Sequence, residues 1–375
     1  MSKYVGVLRH THGVASETFV RDQVRVLGVP TILLSRDGLA AGLGGEGLPV
    51  RAFAASRTER ARYTMLRDTS RLRAAMIDGE VALLHAHFGV EGMYAQRAAS
   101  RLDIPVVTTL HGYDVAKTRW ELARSGSPSW LWYAAGRTRF FHSSSAFVAV
   151  SDHVAHRAQL LGVDRRRLNV IPTGVDLDRF TPAFEPTPPV ILHVGRLVKS
   201  KGTSYLIAAL ARVLARVPEA VLRIIGDGPE RLRLESQAIE LGLASSVQFL
   251  GRVDHDAVVG EMRRARLLCL PSVSGPSGAG EALGQVLLEA AAGGRPVVIT
   301  SCGGMSEAVL DGTSGIVVPE RDPEALAEGL VALLSDEAMA DRFGAAGRRL
   351  MEQKFDLRVR AAEVVALYRS LGFPG

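Results

Sequence analysis

Three cations stand in one turn of HVGRLVKSKG (193–202): Arg196, Lys199 and Lys201, between a β-branched run that stops at Gly195 and a helical pattern opening near Thr203. Such a turn binds anions, because unpaired N–H groups and the positive end of the helix dipole add to the side-chain charges. A diphosphate suits this chemistry; a solvated basic loop is the alternative. Downstream, Glu281 and Glu289 lie eight residues apart in EALGQVLLEAAAGG. At about 100° per residue both would face nearly one side of a continuous helix. Gly284 favours a break there, which leaves Glu281 at a loop–helix junction and Glu289 two turns deeper among aliphatic side chains. A carboxylate so surrounded needs partners, either the hydroxyls of a bound ligand or a buried cation. Between these segments IIGDGPERLR (224–233) places Gly226, Asp227, Gly228 and Pro229 between strand and helix, as a ligand turn or a plain connection. It is not a dinucleotide fingerprint, since GxGxxG is absent.

In the first half, HAHFG (85–89) and TLHGYD (109–114) bring His87 and His111 to strand ends, and Gly112 lets the backbone approach a ligand. For His87 a capped structural role is an equal alternative. His85 and His87 alternate on a strand without an acidic ligand at fixed spacing, so no metal is expected. In HTHGVASETFV (10–20), a small-residue turn with Gly13 leads into a helix that Ser16 can cap.

These residues need a scaffold of strand ends. YVGVL, PTILL, VALLHA, PVVTTL, AFVAV and LNVI are short and β-branched, and they alternate with helical stretches, including an arginine-rich one over 57–77. This is the pattern of a parallel sheet covered by helices. The proline-spaced RFTPAFEPTPP breaks it, and it restarts at VILHVG. The predicted division is a first domain over 1–181, a linker over 182–189, a second domain over 190–352, and a helical tail over 353–375 whose docking partner periodicity does not reveal. The 375 residues fit two domains at about 150 residues each.

Two cysteines are too few for a disulfide framework or a cysteine zinc site, which suits a reducing cytoplasm. No run of 18 apolar residues and no leader pattern is read, so neither a membrane span nor secretion is expected. The formal charge of +6 favours an anionic partner: nucleic acid, anionic lipid or a phosphorylated small molecule.

Taken together, SETFVRDQ (16–23), HGYD (111–114), VIPTGVDLDRF (170–180), VGRLVKSKG (194–202), IGDGPE (225–230), EALGQVLLEAAAGGRPVV (281–298), GGMSE (303–307) and GTSGIVVP (312–319) resemble the retaining glycosyltransferases of family 4. The resemblance implies an α/β GT-B fold, two Rossmann-like domains facing a central cleft, with the C-terminal helix crossing back to the N-terminal, acceptor-binding domain. It implies that Arg196 and Lys201 bind the donor diphosphate, that Glu289 holds the ribose, that Glu281 contacts the sugar hydroxyls and that His111 reaches toward the donor sugar. The backbone of Ala282, Leu283 and Gly284, with Gly195 and Gly226, would complete the donor cradle. Gly13, Ser16, His87 and Asp114 are the candidates on the acceptor side. EALG stands where most members have Glu-Gly-Phe-Gly, and GVAS (13–16) replaces a double-glycine turn, a form that looks like branches building bacterial polysaccharides.

The expected partners are then a UDP- or GDP-sugar and a hydroxyl-bearing acceptor, with no metal, no cofactor and no nucleic acid. A nucleotide-sugar epimerase, a phosphorylase and a silent nucleotide-sugar binder are the alternatives. Arginines at 51, 57, 60, 62, 67, 71 and 73, and three tryptophans within 120–132, either seat the first domain on an anionic membrane at the cytoplasmic face or, for the tryptophans, fill its core.

Overall fold

The computed structural model describes residues 4–11, 18–38, 47–143, 146–182, 188–275 and 277–374. The chain divides into two compact units, Met1–Thr173 with Leu357–Gly375, and Gly174–Asp356. Gly13 and Ser16, and most of the 182–189 segment, lie outside the described residues.

In the first unit the apolar runs become strands β1 (Tyr4–Arg9), β2 (Thr31–Ser35), β3 (Val50–Ala52), β4 (Val81–His87), β5 (Val106–Leu110), β6 (Ala146–Ala149) and β7 (Leu168–Val170). Between them run α1 (Thr18–Val26), α2 (Arg57–Leu66), α3 (Ser70–Asp78), α4 (Gly89–Ala99), α5 (Tyr113–Ala116), α6 (Arg119–Ala123), α7 (Pro128–Ser143) and α8 (Asp152–Leu160). All strand pairs are parallel, in the order β3-β2-β1-β4-β5-β6-β7. The chain builds outward from β1 and then returns to its other side, so the strand order reverses between β1 and β4. Ligands of open α/β sheets bind at such a reversal, outside the strand C-termini.

The second unit repeats the plan with β8 (Val190–Val194), α9 (Thr203–Leu214), β9 (Val221–Ile225), α10 (Arg231–Glu240), β10 (Val247–Gly251), α11 (His255–Arg264), β11 (Leu267–Leu270), α12 (Gln285–Ala292), β12 (Val297–Thr300), β13 (Gly315–Val318), α13 (Pro323–Ser335) and α14 (Glu337–Lys354). The order is β10-β9-β8-β11-β12-β13, reversing between β8 and β11. The final helix, α15 (Leu357–Ser370), belongs to the first unit: Ala361, Val364, Val365 and Tyr368 are buried with Val5, Val7, Leu83, Val107 and Val148.

Two local expectations need correction. The arginine-rich stretch 57–77 is two helices, because Arg67 takes a left-handed conformation (φ 54°) that ends α2. Its start is fixed by a capping box between Ser56 and Glu59. The two compact units part between Thr173 and Gly174, where a border at 181 was expected. Val175, Leu177 and Phe180 are buried beside Leu287, Leu288 and Met351 of the second unit, and the Val175 N–H donates to the Phe355 carbonyl at 2.8 Å. Their burial, not the prolines that follow, decides where the units part.

Candidate functional site

The C-terminal edge of the second sheet gathers most of the expected donor-side residues. After β8 the chain passes Gly195 and the exposed Arg196, then a 3-10 turn over Lys199–Lys201, and enters α9 at Gly202. Lys201 Nζ donates to Glu281 Oε1 at 2.6 Å, and Ser272 Oγ, just past β11, donates to the same oxygen at 3.2 Å. This cluster lies where the strand order reverses. Burial would raise the Glu281 carboxyl, but the Lys201 charge, hydrogen bonds from Lys201 and Ser272, and the Arg196 charge outweigh it and hold the group below its ordinary value. Glu281 is thus an ionised acceptor, while Lys201, with three N–H donors, keeps donors for a second partner.

Two glycines make this edge a rigid frame. At Gly226 (φ 132°) a Cβ would sit 1.9 Å from the Gly195 carbonyl oxygen; at Gly303 (φ 63°) one would sit 2.1 Å from that of Glu281. Only glycine permits these backbones to touch. Beneath them His193 is fully buried; its Nδ1–H donates to the Cys269 carbonyl at 2.9 Å and its Nε2 accepts from Thr203 Oγ1 at 3.0 Å. Burial pushes its pKa down to about 4, so it ties β8, β11 and α9 together as a neutral ring.

The helix break expected at Gly284 is present. Gly284 (φ 88°) precedes α12, whose N-terminus has no side-chain cap, as is also true of α9. First-turn N–H groups at both ends suit an anion. Ala282 is partly exposed, whereas Leu283 turns its side chain into the core and leaves only its backbone at the edge. Glu289 is buried about one turn into α12, with His255 Nε2 3.3 Å from its Oε1 and Phe180 against the His255 ring.

In the first unit, His87 Nδ1 lies 3.0 Å from His111 Nε2. Phe88 and Phe19 flank the His111 ring, their centroids 4.5 and 4.7 Å away. Burial, with a smaller contribution from the Arg9 charge, lowers the His111 pKa well below the ordinary value, so the ring is neutral at pH 7. Asp114 is fully buried and accepts from the Gly89 N–H at 2.8 Å, capping α4 from another element. Burial raises its carboxyl to about 6 against the opposing backbone hydrogen bonds. At the strand reversal itself, Arg9 Nη1 stands 2.6 Å from Glu91 Oε1.

Ser272, His255, Arg9 and Glu91 were not singled out by sequence reasoning. Ser272 directly follows a strand in the PSVSG loop and carried a readable signal; the others pair across 34 to 82 residues, which spacing does not expose. No group of three His, Cys, Asp or Glu side chains suited to a metal occurs among the described residues.

The family model described as Glycosyltransferase Family 4 matches residues 10–179, and that described as Glycosyl transferases group 1 matches 175–350. The chain is 31% identical over 314 residues to the phosphatidyl-myo-inositol mannosyltransferase of Mycobacterium leprae, covering 82% of this chain and 78% of that protein. It is 30% identical over 292 residues to the D-inositol 3-phosphate glycosyltransferase of Nocardia farcinica, covering 73% of this chain and 63% of that longer relative. Among solved structures, Anabaena Alr3699/HepE in complex with UDP and glucose superposes with a TM-score of 0.81 at 20% identity, over 98% of this chain and 100% of that one.

Proposed function

Because this chain belongs to the GT-B glycosyltransferases of the group 1 and family 4 superfamily, we propose that it is a retaining, metal-independent enzyme moving a hexosyl group from a nucleoside-diphosphate sugar to an acceptor hydroxyl in bacterial glycan synthesis. The observation that carries this reading is the Lys201–Glu281–Ser272 cluster at the strand reversal of the second sheet, with Arg196 beside it. Arg196, Lys201 and the uncapped ends of α9 and α12 bind the diphosphate. Glu281 accepts from sugar hydroxyls, Glu289 from the ribose, and His111 contacts the transferred sugar.

In the reaction the bond from the anomeric carbon to the diphosphate oxygen breaks, and the electron pair leaves with the nucleoside diphosphate. The acceptor oxygen bonds to that carbon from the same face, and its proton passes to the departing phosphate. Arg196, Lys201 and the helix dipoles stabilise the growing negative charge, the part metal ions play elsewhere.

The decisive experiment is a screen of UDP-, GDP- and ADP-sugars against hydroxyl-bearing acceptors with product analysis. A new glycoside with retained configuration is expected. An epimerised or merely hydrolysed donor overturns transfer, and tight donor binding without turnover across the panel favours a silent binder.

The acceptor we propose is lipid-linked, reached from the cytoplasmic face of an anionic membrane. No described helix is long and apolar enough to cross a membrane. Trp120 is 79% exposed on α6, and Met65, Leu66, Leu131 and Trp132 are exposed on α2 and α7, with the Arg67 guanidinium over the Trp132 ring. Aromatic and cationic side chains together suit an interfacial contact. Salt-sensitive co-sedimentation with anionic vesicles is expected; its absence removes the membrane from the proposal.

A further inference from the structure

We propose that His87 is the positioning residue of His111, fixing its ring and choosing which of its nitrogens carries the proton. The proposal rests on the reading that His111 contacts the transferred sugar.

The two imidazoles are close to parallel, 5.3 Å between centroids and 21° between planes, with the 3.0 Å contact joining His87 Nδ1 to His111 Nε2. Phe88 and Phe19 hold the ring of His111 from the sides. Aromatic walls fix where a ring lies and leave its protonation free; a hydrogen bond to one nitrogen fixes the ring's orientation and couples its proton to that of the partner. His111 is neutral, so if His87 donates into Nε2 the proton of His111 sits on Nδ1, and if His111 donates then Nδ1 is an acceptor. A sugar hydroxyl can meet either form. The partner at Nε2 therefore sets the polarity that His111 offers at its other nitrogen.

His87 is itself held on three sides. Its carbonyl lies 3.4 Å from Arg9 Nη1, which is anchored 2.6 Å from Glu91 Oε1. The Arg9 guanidinium covers the Phe88 ring at 4.5 Å, and Phe88, at φ 71°, occupies a region that non-glycine residues seldom adopt. On the other face the His85 ring stacks against His87 at 4.5 Å. His85 is fixed at both nitrogens, by Tyr368 Oη at 2.5 Å and Thr109 Oγ1 at 2.7 Å. A strained turn and a buried ion pair hold the backbone of His87, and a doubly bonded histidine stacks on its imidazole. Ordinary core packing asks for the volume of that ring, whereas this arrangement uses its Nδ1.

Two substitutions separate these roles. His87→Asn keeps a polar atom where Nδ1 stands, and His87→Leu keeps the bulk without it. Side-chain 15N spectra of the full chain, with the His111 signals assigned by their loss in His111→Ala, should show a single neutral tautomer in the parent protein. An average of two is expected in His87→Leu, and a single form again in His87→Asn. With the nucleotide sugar retained by the donor screen, His87→Leu should lower kcat by about 10- to 100-fold while donor KM changes less than about threefold, and His87→Asn should recover most of the loss. An unchanged His111 spectrum in His87→Leu, or equal losses in the two variants, overturns the proposal. Full activity in His111→Ala overturns the underlying reading of His111. A deep loss there beside normal turnover in His87→Leu overturns the positioning role alone.

Discussion

Each sheet sets a cation against a carboxylate where its strand order reverses, yet solvent meets the two pairs differently. Lys201 and Glu281 keep 24% and 20% of their side-chain surface exposed; Arg9 and Glu91 keep 9% and 7%. The Lys201 cluster stands beside two uncapped helix ends and an exposed arginine. The Arg9 pair is enclosed by Phe88, the His87 carbonyl and, at 3.7 Å from Glu91 Oε1, His10. A position at the topological switch point thus does not by itself make a binding group. Access to a partner is what differs, and it favours the binding role we propose for the second unit's pair over one for the enclosed pair of the first.

The largest expected effect comes from removing the enclosed cation. Arg9→Ala leaves Glu91 charged and buried without its main partner, and should cost about 3–5 kcal/mol of stability. Replacing both residues with leucine should restore most of it. Denaturant unfolding measures this, and a loss under about 1 kcal/mol would erase the contrast between the pairs. In the second unit, Lys201→Ala should spare the fold and lower turnover by about 10²- to 10³-fold, as for the loss of one preorganised charge. Near-normal kcat with a large drop in melting temperature would reverse the assignment.

A smaller effect concerns pH. Burial is the leading cause that lowers the pKa of His10, His85 and His111 in the first unit, His85 to about 3. Histidines held neutral in the fold but free to protonate near pH 6.5 when unfolded contribute stability above that pH and lose it as pH falls. Each fully depressed ring forfeits about 2 kcal/mol by pH 5. Asp114, raised to about 6, acts in the opposite sense, since the fold then binds a proton that the unfolded chain does not, but it is one group against these three and His153, whose pKa burial also lowers. Hydrogen exchange at pH 7 and pH 5 should show the first unit loosening more than the second, where His193 is the counterpart. Equal loosening would break this part of the comparison.

Much of the second unit's edge was legible because its residues are local. A strand, a glycine, cations and a helix start follow one another within ten residues, and Gly284 announces the break that separates Glu281 from Glu289. The first unit was harder to read for a physical reason: its key contacts join β1 to α4 and β4 to β5 across 24 to 82 residues, and no local pattern encodes them. The border between the compact units is hard to read because prolines are conspicuous, whereas the burial of Val175, Leu177 and Phe180 depends on a partner surface more than 100 residues away. The tryptophans were ambiguous for the opposite reason. Composition alone does not say whether an aromatic ring is covered, and Trp120 is not.

The return of α15 to the first unit has a consequence for how the chain is made. Residues 174–356 form one uninterrupted stretch that can fold as it leaves the ribosome. The first unit, although synthesised earlier, lacks Ala361, Val364, Val365 and Tyr368 from its core until α15 emerges. At about 5–20 residues per second, the 183 residues of the second unit impose a wait on the order of 10–40 s. Over that interval Val5, Val7 and Leu83 lack the cover of α15, so the earlier-made unit is completed after the later-made one.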